Sequence, residues 1–168
     1  ENEVGNDLNK KIGIITFHNS YNCGSMLQAF ALQQVVDRLT GKDSEIIDFS
    51  NEGQQKLYSV RQPNDGLKNV LKNIILAPRF EKISKNYKSY ESFKKHNFRL
   101  SQTPIHKSSD LSDAEYDIVI AGSDQVWNIT IEDGDDAYFL PWVKSAKKVA
   151  YAPSFGAKNI ADFSDDLI

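Results

Sequence analysis

Cysteine is almost missing from this chain. Cys23 stands alone among 168 residues, so no internal disulfide can form and a reducing compartment is the natural setting. A surplus of positive charge is missing too. The net charge of −3 offers none of the basic excess with which nucleic-acid binders neutralise phosphates, and no nucleic-acid partner is expected. No apolar run approaches the roughly 20 residues of a membrane span. The polar opening ENEVGNDLNKK has no signal-peptide core. Residues 1–11 therefore read as a disordered lead-in, the first residue not being Met reads as processing or engineering, and the cytoplasm is the expected location. The glycine pattern of a dinucleotide loop and the Lys of a Walker A loop are also missing, which argues against a nicotinamide dinucleotide or ATP. His96 and His106 fall in no metal-ligand pattern, and Glu132-Asp133-Gly134-Asp135-Asp136 lacks the EF-hand spacing and reads as a solvated loop. No metal and no cofactor are expected.

What is present suits one α/β domain. At 40% hydrophobic the chain can bury one ordinary core. Residues 12–17 (IGIITF) form a short, β-branched apolar run of the kind buried on both faces of a parallel sheet. Leu32, Val35, Val36 and Leu39 then repeat at i, i+3, i+4, i+7, and Gly41 stops the pattern. SEIIDF (44–49) is a second strand, so strand, helix and strand make a βαβ unit, with the parallel pairing and right-handed crossover such units have. A helical insertion is predicted over about 64–100. Leu67, Val70, Leu71, Ile74 and Ile75 mark its first helix, and Phe80, Ile83, Tyr87, Tyr90 and Phe93 mark a second one. The second helix carries Arg79, Lys82, Lys85, Lys88, Lys94 and Lys95 on its other face, over 79–99. That face is either simply solvated or a peripheral contact with an anionic membrane surface. Further strands are expected at Ile118–Ala121 and Val149–Ala152. Residues 161–168 read as the start of a truncated helix, with Ser164 as its cap.

Three of these strands run into polar, Gly-bearing loops. In an open parallel sheet ligands bind at the carboxyl ends of the strands, so all three loops should meet along one edge. The first offers Asn19, Tyr21, Asn22, Ser25 and Gln28 around Gly24, and ends on a helix N-terminus suited to a phosphate or carboxylate. Its other reading is a loop that only caps its own helix. The second, Gly122-Ser123-Asp124-Gln125-Val126-Trp127-Asn128, has sugar-site chemistry: Asp and Asn for vicinal hydroxyls, an indole face for a pyranose ring. Asp124 could serve as a general base on an acceptor hydroxyl. Its other reading is a core Trp127 and an Asp124 that caps a helix beginning at Gln125. The third loop contributes Ser154 and Gly156. His18 ends the first strand, where a proton donor would be useful, although a lone His is more often structural. Cys23 has no base partner in sequence, which argues against a nucleophilic role.

The motifs IGIITF with YNCGSMLQAFALQ, DIVIAGSDQVWN, and YFLPWVKSAKKVAYAPSFG, in that order over residues 12–156, resemble the N-terminal part of the polysaccharide pyruvyl transferase family. The resemblance implies a fold like the GT-B glycosyltransferases. Residues 12–160 would form the Rossmann-like first half, a parallel sheet flanked by helices, and a C-terminal half would face it across a cleft. It implies transfer of a pyruvyl group from phosphoenolpyruvate, the donor substrate, to a hydroxyl pair of a nucleotide- or lipid-linked sugar, with release of phosphate. Residues carried over as lining that cleft are Asn22, Gly24, Gln28, Gly122, Ser123, Asp124, Gln125, Trp127, Asn128, Ser154 and Gly156. Arg38, Arg61, Arg79 and Arg99 lie outside the matched loops, so the anion-clamping cations are expected from the other half. A nucleotide-sugar glycosyltransferase and a non-catalytic saccharide-binding module are the alternatives. Little or no turnover is expected of this chain by itself, since half a cleft cannot position two substrates.

Overall fold

Apolar residues on both sides of a strand need cover on both sides, and the first strand shows why this chain folds as a layered sheet. In the computed structural model, which describes residues 11–59 and 77–156, strand β1 is Lys11–Ile15. Ile12 and Ile14 face one way and Ile15 the other, all at 3% exposure or less. Helix α1 (Cys23–Thr40) follows, then β2 (Ser44–Ile46), a short helix α2 (Glu52–Leu57), a long helix α3 (Phe80–Asn97), β3 (Tyr116–Asp124) and β4 (Lys147–Pro153). The four strands form one sheet in the order β2-β1-β3-β4, and every pairing is parallel. The predicted α/β class and parallel sheet are both seen.

Helix α1 starts at Asn22, whose side chain accepts from the Gly24 N–H, and ends at Gly41 in the left-handed conformation (φ 65°). Its buried face is Met26, Ala29, Leu32, Gln33 and Val36, packed with Ile12, Ile14, Ile46 and Ile120. The predicted stripe is thus half right: Leu32 and Val36 are core, whereas Val35 and Leu39 are exposed. Polar Gln33 takes the inner position because it bridges the backbones of two segments. It donates to the carbonyls of Ser44 and Arg99 and accepts from the Arg99 N–H. Those bonds hold residues 98–105 beside β2, with parallel bridges Ile46↔Leu100 and Phe49↔Ile105. SEIIDF is accordingly strand only over 44–46, and Phe49 joins only the isolated bridge to Ile105.

The opposite face of the sheet is covered differently. Ile15, Phe17, Ile47, Val119 and Ala121 pack against Val126, Ala137, Tyr138, Leu140 and Val143, which lie in the β3–β4 connection. That connection holds a single 3₁₀ turn, Asp136–Phe139, so irregular chain replaces the flanking helix expected there. Asp113 anchors it: one carboxylate oxygen accepts from the backbone N–H groups of Lys144, Ser145 and Ala146. Those bonds hold its carboxyl well below the usual range, against a smaller upward push from burial. The acidic run is not a solvated loop either. Asp133 is 6% exposed and Asp135 caps the 3₁₀ turn by accepting from Ala137 N–H. β4 corrects another expectation: it is the edge strand among the described residues, and Ala150, Tyr151 and Ala152 are exposed. The first predicted helix of the insertion, residues 1–10 of the lead-in and the terminal helix lie outside the described residues, whereas Lys11, placed in the lead-in by its polarity, is the first residue of β1.

Candidate functional site at the carboxyl edge of the sheet

β1 has β2 on one side and β3 on the other, so the crevice between the ends of β1 and β3 is the point where the strand order reverses. Such a point is where open α/β sheets take ligands. The β1–α1 loop and the end of β3 are knitted together there. Gln28 Nε2 donates to Thr16 Oγ1 (2.9 Å), Thr16 Oγ1 to the Ser123 carbonyl (3.1 Å), and Ser123 Oγ back to Gln28 Oε1 (2.8 Å). Above this ring of bonds, Ser25 Oγ donates to Asp124 Oδ2 at 2.7 Å. Asp124 sits at φ 90°, a conformation that non-glycine residues rarely adopt. Its Oδ1 accepts the Gln125 N–H, and no helix begins at Gln125.

A cavity of about 430 Å³ opens at this crevice, and Asn22, Ser25, Asp124, Gln125 and Tyr58 are among its walls. Asp133 lines it too. Burial, then the charges of Asp124 and Glu132, push the Asp133 carboxyl up. Three carboxyls, Asp124, Glu132 and Asp133, therefore line one cavity, Asp124 hydrogen-bonded to Ser25 and Asp133 desolvated. That is an arrangement able to take a proton from one group and hold one for another.

A second, larger cavity of about 600 Å³ lies beyond Ser20 and Tyr58, beside the end of β2. Asn19 and Tyr21 open into it together with Asp48, Gln54, Glu91 and Lys94. Tyr21 donates to Glu91 Oε1 at 2.5 Å, and its ring lies 4.6 Å from that of Tyr87 and 5.7 Å from that of Tyr58. Burial, then the bond to Glu91, raises the Tyr21 hydroxyl well above its usual range. Lys94 is not on the solvated face where the charge pattern put it. Its ammonium pairs with Glu91 at 2.8 Å and donates to Asn19 Oδ1 at 2.6 Å. Lys82, Lys85, Lys88 and Lys95 are exposed as expected.

The other predicted site residues divide into supports and bystanders. His18 is fully buried and lines neither cavity. Its Nδ1 meets the Thr16 carbonyl at 3.2 Å and its Nε2 meets Asp48 Oδ1 at 2.9 Å. Both partners are acceptors, so both bonds are made only by the doubly protonated ring. A direct proton donor is thereby replaced by a residue that positions Asp48. Burial raises the Asp48 carboxyl, but the His18 bond and the charges of His18, Lys94 and His106 outweigh it and leave it lowered. Trp127 is half-buried and its indole is used in packing. Its ring stacks on Phe139 at 5.4 Å and contacts Phe155, and its N–H donates to the Tyr138 carbonyl. Asn128, 4% exposed, accepts from Thr130 N–H and Oγ1 and closes a turn. Ser154 accepts the Trp127 N–H through its carbonyl and donates its own N–H to Asp124 O. A Cβ on Gly156 would lie 2.6 Å from Asn128 Nδ2. Trp127, Asn128, Ser154 and Gly156 thus brace the loop that carries Asp124. Gly24 is exposed at the helix start, and Cys23 is exposed with Sγ 3.2 Å from the Tyr90 hydroxyl.

Sequence reading missed Asp48, Gln54, Tyr58, Glu91 and His106. One signal was available for part of this group. Tyr87, Glu91 and Lys94 fall at i, i+4 and i+7, which places them on one face of a helix. Among the described residues no three His, Cys, Asp or Glu side chains form a metal-ligating group, and no helix is long and apolar enough to cross a membrane.

An open parallel sheet whose carboxyl edge carries a braced, carboxylate-bearing crevice defines an α/β domain with a polar cavity at its switch point. Its sequence places it more closely. The model of the polysaccharide pyruvyl transferase family matches residues 22–168, and the chain belongs to that family. Comparison with curated proteins and with solved structures gives no match.

Proposed function

We propose that this domain is the first of two Rossmann-like halves of a GT-B-like enzyme that transfers a pyruvyl group from phosphoenolpyruvate to a hydroxyl pair of a sugar. The observation that carries the reading is the junction of β1, α1 and β3, where Ser25 holds Asp124 at the mouth of the switch-point crevice in a member of this family. Ketal formation needs a base for the sugar hydroxyls, an acid for the enol carbon, and cations or N–H groups for carboxylate and phosphate. Asp124 is the base. Ser25 keeps one of its oxygens oriented by hydrogen bonding, and Asn22 and Gln125 border the acceptor. Asp133, held toward its protonated form by burial and by Asp124, is the acid on this side. No arginine lines either cavity among the described residues, which supports a clamp for the donor's anionic groups supplied by the facing half.

The test is phosphate release from phosphoenolpyruvate by the intact parent protein, with and without nucleotide- and lipid-linked sugars. Acceptor-dependent release that falls about a hundredfold or more in Asp124→Ala supports the proposal. Release of a nucleoside diphosphate from a nucleotide sugar in its place would make the protein a glycosyltransferase. Sugar binding without turnover would make it a binding module.

A further inference from the structure

Of the chain's three histidines only His18 is buried, and both of its ring nitrogens meet acceptors. Nδ1 lies 3.2 Å from the Thr16 carbonyl and Nε2 lies 2.9 Å from Asp48 Oδ1. A neutral imidazole carries one N–H, so it satisfies one of these partners and turns a lone pair on the other. The two partners are unequal. Burial pushes the Asp48 carboxyl up, but the bond to His18 and the charges of His18, Lys94 and His106 hold it below its ordinary value, so Asp48 is a carboxylate. A charge-assisted bond to it is about twice as strong as a neutral one. The Thr16 carbonyl has a second donor, the His18 backbone N–H at 2.8 Å. A proton lost from the ring therefore leaves Nδ1, and sets its lone pair against the Thr16 oxygen.

Thr16 is also where the crevice is fastened. Its hydroxyl donates to the Ser123 carbonyl and accepts from Gln28, which accepts in turn from Ser123 Oγ. Ser123 precedes Asp124, whose carboxylate Ser25 holds. One residue thus reaches His18 through its carbonyl and the strand end that carries Asp124 through its side chain.

We propose that His18 is a positioning residue for the crevice, its ring proton fixing Thr16 between Asp48 and the Ser123–Asp124 end of β3. Doubly protonated, the ring fastens the end of β1 to both partners. Singly protonated, it keeps Asp48 and repels the Thr16 carbonyl, and the displacement passes along the Thr16–Ser123 bond to Asp124. The other charged and titratable groups around Asp48 are Glu91 and Lys94 of α3, Tyr21 of the β1–α1 loop, and His106 from the stretch between α3 and β3. Glu91 is taken by Lys94 and by the Tyr21 hydroxyl, which leaves His106 as the group whose titration must be told apart from that of His18. The inference rests on the proposed function only in treating the position of Asp124 as the one that matters for the reaction.

The test uses the 168-residue chain, isotope-labelled and titrated by NMR from about pH 5 to about pH 9, the range in which imidazoles change charge. The imidazole nitrogens of His18 and the backbone amides of Thr16, Ser123 and Asp124 are followed together. Both ring nitrogens should carry protons at the acid end. Nδ1 should lose its proton as the pH rises, and the three amides should shift with the same midpoint. In Asp48→Asn the side-chain amide can donate to Nε2, so a neutral ring keeps its Nδ1–H on Thr16 and the shared transition should vanish. In His106→Gln it should persist. The proposal is overturned if His18 is one neutral tautomer throughout, if both nitrogens stay protonated to the alkaline end, or if the proton leaves Nε2. It is equally overturned if His18 titrates while the Ser123 and Asp124 amides stay still, or if Asp48→Asn titrates as wild type does. The wild-type titration decides alone should that variant not fold. No part of this test needs turnover: its failure leaves pyruvyl transfer standing, and an absence of phosphate release leaves the proton link standing.

Discussion

Gly122 is where the geometry of the crevice can be tested by a single methyl group. It precedes Ser123 and Asp124 at the end of β3, pairs with Tyr151 of β4, and has φ 119°. A Cβ there would lie 2.0 Å from the Tyr151 carbonyl oxygen and 3.0 Å from its carbon. Two separable costs follow for Gly122→Ala. Holding a non-glycine residue in that conformation costs about 1–3 kcal/mol. Relieving the contact requires β4 to move away from β3, since the obstruction is backbone and cannot rotate aside. Losing the last one or two ladder bonds adds about 1–2 kcal/mol. The total, about 2–5 kcal/mol, is a large share of the 5–15 kcal/mol that typically separates folded from unfolded domains.

Gly41 is the natural control. It too has a positive φ, 65°, but a Cβ on it would meet nothing within 4 Å. Gly41→Ala should therefore cost about 1–2 kcal/mol, the conformational penalty alone. Urea denaturation followed by far-UV circular dichroism, with slopes compared to confirm two-state behaviour, measures both. The expected order is wild type, then Gly41→Ala, then Gly122→Ala, with at least about 1 kcal/mol between the variants from the lost ladder bonds. Equal losses would refute the argument. They would mean that β4 yields freely at Tyr151 and does not brace the Asp124 loop.

Two further outcomes follow from the core and from the carboxylates. Ile14 is fully buried between α1 and the sheet, so Ile14→Ala should lower stability by about 2–5 kcal/mol in the same urea assay, and a loss under 1 kcal/mol would deny it a central place. Asp48 has a lowered folded-state pKa, so its contribution is present in full above the ordinary carboxylate value near 4 and drains as pH falls through the folded value. Asp48→Asn should make the loss of stability between about pH 5 and pH 2.5 shallower than in wild type. Asp133 and Asp136, whose carboxyls are pushed up and act in the opposite sense, are common to both proteins and drop out of the comparison; parallel curves would contradict the His18–Asp48 pairing.

The parts of the fold legible in the sequence are those decided by burial on both sides. IGII and IVIA are apolar on every side because the sheet is covered on both faces there, and the Gly41 stop is visible because only its conformation matters there. Val149-Ala150-Tyr151-Ala152 has the same letters but a different place. It is the edge strand among the described residues, and composition cannot say which strand of a parallel sheet is last. Gln33 was invisible to a hydrophobic stripe because its inner position is decided by backbone groups 11 and 66 residues away. The predicted cleft residues were of the right kind but of mixed rank. Asp124 and Ser25 meet in the crevice, whereas Trp127 and Asn128 are spent on bracing. Nothing local to those letters distinguishes an indole that stacks on a sugar from one that stacks on Phe139.

The helix charge pattern makes the more general case. Six basic residues over 79–95 read as one face because they are alike, yet a helix assigns faces by angle. Lys94 lies seven residues beyond Tyr87 and three beyond Glu91, on the side turned toward Asn19 and the end of β2. There its charge is neutralised before any ligand arrives. Asp48, two residues past β2 and held by buried His18, lines the same cavity as Lys94 and Glu91. That meeting arises only when α3 is laid over the β1 and β2 ends. That is why a lysine-rich helix, read by itself as a solvated face or a contact for an anionic surface, gives one of its lysines to a cavity wall.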